Sequence, residues 1–266
     1  MTVDGFDLDS PVVRQAFVGP LYGWSLTLVP DALEAGGAFG RLDAGRERAP
    51  AGRGDPVRSA AEAQRRARKK SRRYCAANRL NRLGTLTYDG DGCHDPAQAK
   101  ADVAGFWREL RRLRDRGAFP YLWTAEWHKS GHGLHMHFAV GDFINRSLIN
   151  EAWGWKTTPG RGFTHIKLIG NLPVGSGVVD EARKAAGYLS KYVGKDYDAS
   201  TFPNGWHRYE VAQGFQPREV RLFGETESEV LTKASNIIGS RPSVYWSSRQ
   251  DPNWDRPTAV WVQWAG

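Results

Sequence analysis

With 266 residues, 40% of them hydrophobic and 12% aromatic, the chain can bury a sizeable core, which excludes a disordered or low-complexity protein. Its formal charge of +8 argues for a polyanionic partner, nucleic acid first among them, with ribosome contact or simple solubility as the blander explanations. Cys75 and Cys93 make no disulfide framework, no apolar run reaches the ~18 residues of a membrane span, and the N-terminus lacks the basic-then-apolar order of a signal peptide, so a soluble cytoplasmic protein without a membrane partner is expected.

Residues 1–58 read as an N-terminal extension. Leu21-Tyr-Gly-Trp-Ser-Leu-Thr-Leu-Val29 is strand-like, but residues 30–57 are rich in Gly, Ala, Pro and Arg and hold little aliphatic surface, so a mobile loop is expected there. From Ser59 the pattern turns helical and basic. Arg65, Arg66, Arg68, Lys69, Lys70, Arg72 and Arg73 place seven positive charges in nine residues, and no acidic residue occurs between Glu62 and Asp89. A solvated helix face is the bland alternative. Like charges this close repel, and phosphates relieve that repulsion, so the helix, extended by Arg79 and Arg82, reads as DNA-contacting.

Leu83-Gly-Thr-Leu-Thr-Tyr88 is a β-type run that leads into a turn at Asp89-Gly-Asp-Gly92. A helix starts at Asp95-Pro96, repeats Val103, Phe106, Trp107, Leu110 and Leu113 at helical spacing, and ends by Gly117. Strand-like runs at 121–127 and 134–140 flank Ser130-Gly-His-Gly133, which folds them into a hairpin. A short helix at 146–154, a strand at 163–169, a Gly- and Pro-containing loop at 170–177 and a helix at about 180–195 follow. The order β-α-β-β-α-β-α contains a tight hairpin, whose strands cannot be parallel. The expected class for 59–200 is therefore α+β, an antiparallel sheet flanked by helices. Residues 201–266, with short strands at 218–223, 243–248 and 258–264 and a capping-box helix from Thr226-Glu-Ser-Glu229, read as a C-terminal appendage.

Two stretches carry chemistry. In the hairpin, strand alternation puts His135 and His137 on one face, and Glu126 shares a face with Leu122 and Thr124. Two imidazoles and one carboxylate make a metal site with open positions, the kind that polarises a phosphate. His128 and His132 raise the count to four histidines within ten residues, so structural zinc is an alternative. Zinc sites usually include cysteine, and both cysteines lie far away in sequence, so His128 and His132 are assigned to the loop. The second stretch is Gly187-Tyr-Leu-Ser-Lys-Tyr-Val-Gly-Lys195. On a helix, Tyr188, Lys191, Tyr192 and Lys195 fall on one stripe beside an apolar stripe of Ala182, Ala185, Ala186, Leu189 and Val193. A phenol is a weak nucleophile until a cation favours its phenolate. Packed tyrosines with solvated lysines are the bland reading. His165 and His207 have no partner legible in the sequence, and Trp206, Trp246, Trp254, Trp261 and Trp264 are either core residues or base-stacking platforms.

Together, Leu83-Gly-Thr-Leu-Thr-Tyr88, His135-Met-His137 with Glu126, and the two-tyrosine helix resemble the three ordered motifs of the rolling-circle replication initiators. These belong to the histidine-hydrophobic-histidine class of single-strand endonucleases, and the resemblance is to their two-tyrosine form. It implies a five-stranded antiparallel sheet related to the RNA-recognition fold, and Mg²⁺ or Mn²⁺ held by Glu126, His135 and His137. One tyrosine would attack a phosphate of single-stranded or hairpin origin DNA, leaving a 5′-phosphotyrosine and a 3′-hydroxyl to prime synthesis. The other would take the regenerated strand. Lys191 and Lys195 follow the two tyrosines equally, so the sequence does not rank them. No Gly-x-x-x-x-Gly-Lys-[Ser/Thr] motif occurs, which implies a borrowed host helicase beside a host polymerase. A transposase of the same chemistry and a non-catalytic nucleic-acid-binding module are the alternatives.

Overall fold

The structure, a computed structural model, describes residues 2–3, 6–7, 21–42, 56–169, 172, 176–194, 202, 206–207 and 209–266. Residues 1–53 and 218–265 cluster into one unit, and residues 54–217 with Gly266 into another. Among the described residues each unit holds one five-stranded antiparallel sheet, and the five α-helices complete an α+β fold. No described helix is long and apolar enough to cross a membrane.

The first unit begins with a small ladder of Thr2–Val3 (β1) and Phe6–Asp7 (β2). Its main sheet pairs Tyr22–Val29 (β3), Glu34–Arg41 (β4), Val220–Gly224 (β10), Val244–Ser247 (β11) and Ala259–Gln263 (β12) in the order β10-β3-β4-β12-β11. Glu227–Ile238 (α5) lies on one face, where Val230 and Ala234 bury against Trp24, Leu26, Leu28, Val260 and Val262. Trp264 belongs to the same core, its Nε1 donating to Ser240 O at 2.9 Å. Thus the segments read as an N-terminal extension and a C-terminal appendage supply strands to a single sheet. Each holds short strands with one apolar face, and neither alone could pair all its edges.

The expectation of a mobile loop over 30–57 is corrected within its first part: β4 is the middle strand of this sheet. Its glycines answer to space rather than flexibility. A Cβ on Gly37 would stand 2.0 Å from Ser25 O on β3. Low aliphatic content therefore marks close backbone approach, and the apolar surface comes from the neighbouring strands. The remainder of that stretch, 43–55, lies outside the described residues.

The second unit runs Pro56–Ala77 (α1), Arg82–Tyr88 (β5), Pro96–Arg114 (α2), Tyr121–Trp127 (β6), Leu134–Val140 (β7), Arg146–Trp153 (α3), Arg161–Leu168 (β8), Val178–Gly194 (α4) and Glu210–Val211 (β9). The β-α-β-β-α-β-α order is the one read from the sequence. Its sheet has the order β8-β5-β7-β6-β9, so the His-Met-His strand β7 is central. Alternation along β7 sends Met136 and Phe138 to one face, where they pack with Phe106, Trp107 and Leu110 of α2 and Trp153 of α3. Asp95 caps α2 by accepting from Ala97 N at 2.8 Å, ahead of Pro96 at the first turn. On the other face Ala185, Ala186 and Leu189 of α4 bury with Leu83, Leu122 and Ala139 of the sheet and with Tyr74 and Cys75 of α1. Both cysteines are buried free thiols, and burial pushes the Cys75 thiol up to about 12, which leaves it unreactive.

The close approach at β4 gives a direct test. Gly37→Ala should destabilise the protein by about 1–3 kcal/mol in urea denaturation, the usual range for forced overpacking. An unchanged midpoint would contradict the placement of β4 inside the sheet.

Candidate active site

The hairpin that carries the histidines is held by glycine backbone geometry. Gly131 and Gly133 both have φ of +81°, a region that side chains rarely enter. Within the turn, Gly131 N donates to His128 O at 3.0 Å and His128 N to Gly133 O at 2.8 Å. A Cβ on Gly133 would lie 2.4 Å from Cys93 O, the same carbonyl that accepts from Leu134 N at 2.8 Å. The turn thereby seats on the 89–93 segment and fixes where β7 begins.

From there register places the side chains. Glu126 is the cross-strand partner of His135, Thr124 that of His137, and Thr85 on β5 faces His137 from the other side. His137 lies between two oxygens: its Nε2 is 3.1 Å from Glu126 Oε2 and its Nδ1 is 3.2 Å from Thr85 Oγ1. A carboxylate only accepts, so Nε2 carries the proton and Nδ1 accepts from the threonine hydroxyl. Thr85 can equally accept, so it can orient either tautomer of the ring.

The tyrosine helix meets this histidine directly. The Tyr192 ring stacks on His137 with centroids 4.0 Å apart and planes 17° apart. Tyr192 Oη donates to Tyr188 Oη at 2.8 Å, and Lys191 Nζ sits 5.5 Å from the centre of the Tyr188 ring. Burial, then the bond to Tyr188 and the charges of Tyr188 and Glu126, push the Tyr192 phenol well above its ordinary value and keep it protonated. Tyr188 is 44% exposed and lines a cleft of about 250 Å³ with Leu83, Gly84, Thr85, His137, His165, Lys167 and Leu189. Lys195 lies outside the described residues.

His135 has a different environment. Its Nε2 is buried with no hydrogen-bond partner among the described residues. The His128 ring stacks on it at 4.4 Å, and His132 stands edge-on at 6.3 Å. The sequence assigned both to the loop, yet His128 is a ring neighbour of the site. Burial first, then the neighbouring His128, His137 and His132, push His135 down to about 4, with Glu126 partly opposing. The imidazole therefore stays neutral with an available lone pair, the state a metal ligand requires.

Among the described residues no three His, Cys, Asp or Glu side chains converge on one metal position. Glu126 engages His137 instead. The donor chemistry nevertheless fits a divalent cation: an orphaned neutral imidazole nitrogen, a second imidazole and a carboxylate on paired strands.

The basic helix divides into two groups. Arg65, Arg66, Arg68, Lys69 and Lys70 are exposed, and Arg72 is half-buried. Arg73 is 5% exposed, inside the α1 packing. Arg79 donates to Ala76 O, and Arg82 donates to Asn81 Oδ1 at 2.8 Å and to Gly141 O. Those three guanidiniums hold the α1–β5 junction, so the cationic surface is narrower than the charge run.

Sequence reasoning missed Thr85, His165 and Lys167. Thr85 pairs with both His137 and His165, a relation set by the strand order β8-β5-β7 and invisible along the chain. Alternation within 163–169 does put His165 and Lys167 on one face, but only the sheet order shows which face that is.

Residues 81–197 match the family model of the ORF2-type replication-associated proteins. The match covers β5 through α4, the elements that build this site, and it supports a replication initiator. No curated protein and no solved structure matches the chain.

The environment of His135 sets a pH dependence. Its folded pKa of about 4 lies below the ordinary 6.5, so the unfolded chain takes up this proton first as pH falls. Its contribution to stability is complete above about 6.5 and is lost between 6.5 and 4. In chelator, the melting temperature should fall across that window, and His135→Gln should flatten the fall. Parallel profiles for the two proteins would contradict this environment.

Proposed function

We propose that this chain is a replication initiator that nicks and rejoins single-stranded DNA through a 5′-phosphotyrosine intermediate. The observation that carries the reading is the stack of Tyr192 on His137, which joins the two-tyrosine helix to the His-Met-His strand. The family match over 81–197 supports the replication context.

Tyr188 is the better first nucleophile by position. It is the more exposed of the pair, faces the cleft and accepts rather than donates in the bond to Tyr192. A donor at that oxygen and the Lys191 ammonium beside the ring both favour its phenolate. In the nicking step Tyr188 Oη bonds to phosphorus, the phenolic proton leaves to solvent, and the bond from phosphorus to the 3′ oxygen breaks. That oxygen takes up a proton and becomes the 3′-hydroxyl. The ester keeps the energy of the cleaved bond, so rejoining by a returning 3′-hydroxyl needs no nucleotide hydrolysis. Tyr192, one helical turn on, would serve the second strand exchange.

His135, His137 and Glu126 would hold a divalent cation, Mg²⁺ or Mn²⁺, which when bound supplies Lewis-acid polarisation of the scissile phosphate. Thr85 keeps the His137 ring in plane for that task by bonding its other nitrogen. The exposed Arg65, Arg66, Arg68, Lys69 and Lys70 of α1 would bind the DNA backbone away from the reacting atoms.

Incubation with an origin-strand oligonucleotide and Mn²⁺ should give a covalent adduct on a denaturing gel. Tyr188→Phe should lower the initial rate by roughly 100-fold or more, as loss of a nucleophile does, while Tyr192→Phe retains the first adduct. Undiminished adduct from the Tyr188→Phe/Tyr192→Phe double variant would refute the nucleophile assignment. A wild-type protein that binds DNA without any adduct would favour a non-catalytic module. In calorimetric titration with Mn²⁺, Glu126→Ala should lose at least about 10-fold in affinity, and His132→Ala far less. Equal losses would overturn the ligand set.

A further inference from the structure

The edge of the site sheet carries a row of side chains that the reaction above does not use. β8 is the outermost strand beside β5. Phe163, His165 and Lys167 alternate onto the face that bears Thr85 and His137, because Thr85 is the cross-strand partner of both His165 and His137. His165 and Lys167 line the cleft with Tyr188, and none of its described lining residues is acidic. Phe163 is 56% exposed, an unusual position for a large apolar ring. Its backbone is nonetheless held, since Phe163 O accepts from Thr87 Oγ1 at 2.7 Å.

A cationic pair beside an exposed aromatic on one edge strand matches the chemistry of an unpaired nucleotide, a phosphate joined to a π-face. Residues two apart on a strand stand about 6.6 Å apart, so Lys167, His165 and Phe163 present charge and then ring along a single track leading out of the cleft. We propose that these three residues form a single-stranded DNA subsite beside Tyr188. Lys167 and His165 hold the backbone next to the scissile phosphate, and Phe163 stacks on the adjoining unpaired base. The subsite rests on the reading that single-stranded DNA is the substrate. It adds the path by which that strand leaves the nucleophile.

The test uses the full chain in chelator, where no nicking occurs, and a fluorescein-labelled oligothymidylate followed by anisotropy. Phe163→Ala should weaken binding by about 5- to 100-fold, the range for losing one base–aromatic stack, and Phe163→Trp should restore it. On an oligonucleotide whose thymines are replaced by abasic sites, wild type and Phe163→Ala should bind alike, a result that a merely structural role would not produce. Lys167→Gln should reduce the slope of log affinity against log salt by about 0.7, one single-strand phosphate. Melting temperatures of the variants should stay at the wild-type value, since the replaced side chains are exposed. Wild-type binding that all three substitutions leave untouched would overturn the subsite and spare the nicking reading. Absence of any wild-type binding to single strands would overturn both.

Discussion

The site depends on one contact, the flat stack of Tyr192 on His137. It exists because α4 comes close to the sheet through a stripe of small residues. Ala182, Ala185 and Ala186 are buried with Leu189 and Val193, and nothing on that face is bulky enough to hold the helix away. The same helix that buries this stripe must turn its tyrosine stripe toward the histidine-bearing half of the sheet, because the two stripes are adjacent. Apolar packing and chemical placement are thus a single event. A larger residue at Ala185 or Ala186 would lift the helix and separate Tyr192 from His137 without touching either.

Electrostatics then differentiate groups that the sequence presents as equivalent. His135 is buried without a described partner at Nε2, whereas His137 is held by Thr85 and Glu126. Tyr192 is covered and donates, while Tyr188 is open and accepts. The basic helix is divided in the same manner: exposed charges at Arg65 to Lys70 can meet phosphate, but Arg73, Arg79 and Arg82 are engaged in packing or in bonds to carbonyls. The ion pairs of Glu62 with Arg65 and Arg66, both 3.8 Å long and exposed, neutralise little of that surface.

Much of this arrangement is legible along the chain. Alternation in 121–127 and 134–140 with glycines between them defines the hairpin, and periodicity in 96–114 and 178–194 defines the helices, because in each case local pattern and tertiary burial agree. Where they part, the sequence misleads. β4 lacks aliphatic residues because β3 approaches it too closely for a side chain at Gly37, so a buried strand imitates a linker. Thr85, His165 and Lys167 are ordinary strand residues until the order β8-β5-β7 brings them beside His137, and strand order is a long-range property that no short window contains. The pairing of the N-terminal strands with those after residue 218 is hidden for the same reason.

The most direct measurement is mass spectrometry of the peptide carrying a DNA adduct trapped with Mn²⁺ on a single-stranded origin oligonucleotide. The account predicts one modified peptide from α4, with a 5′-linked nucleotide on Tyr188. A nucleotide on a residue outside α4, or no covalent product from a protein that binds the same strand, would contradict it.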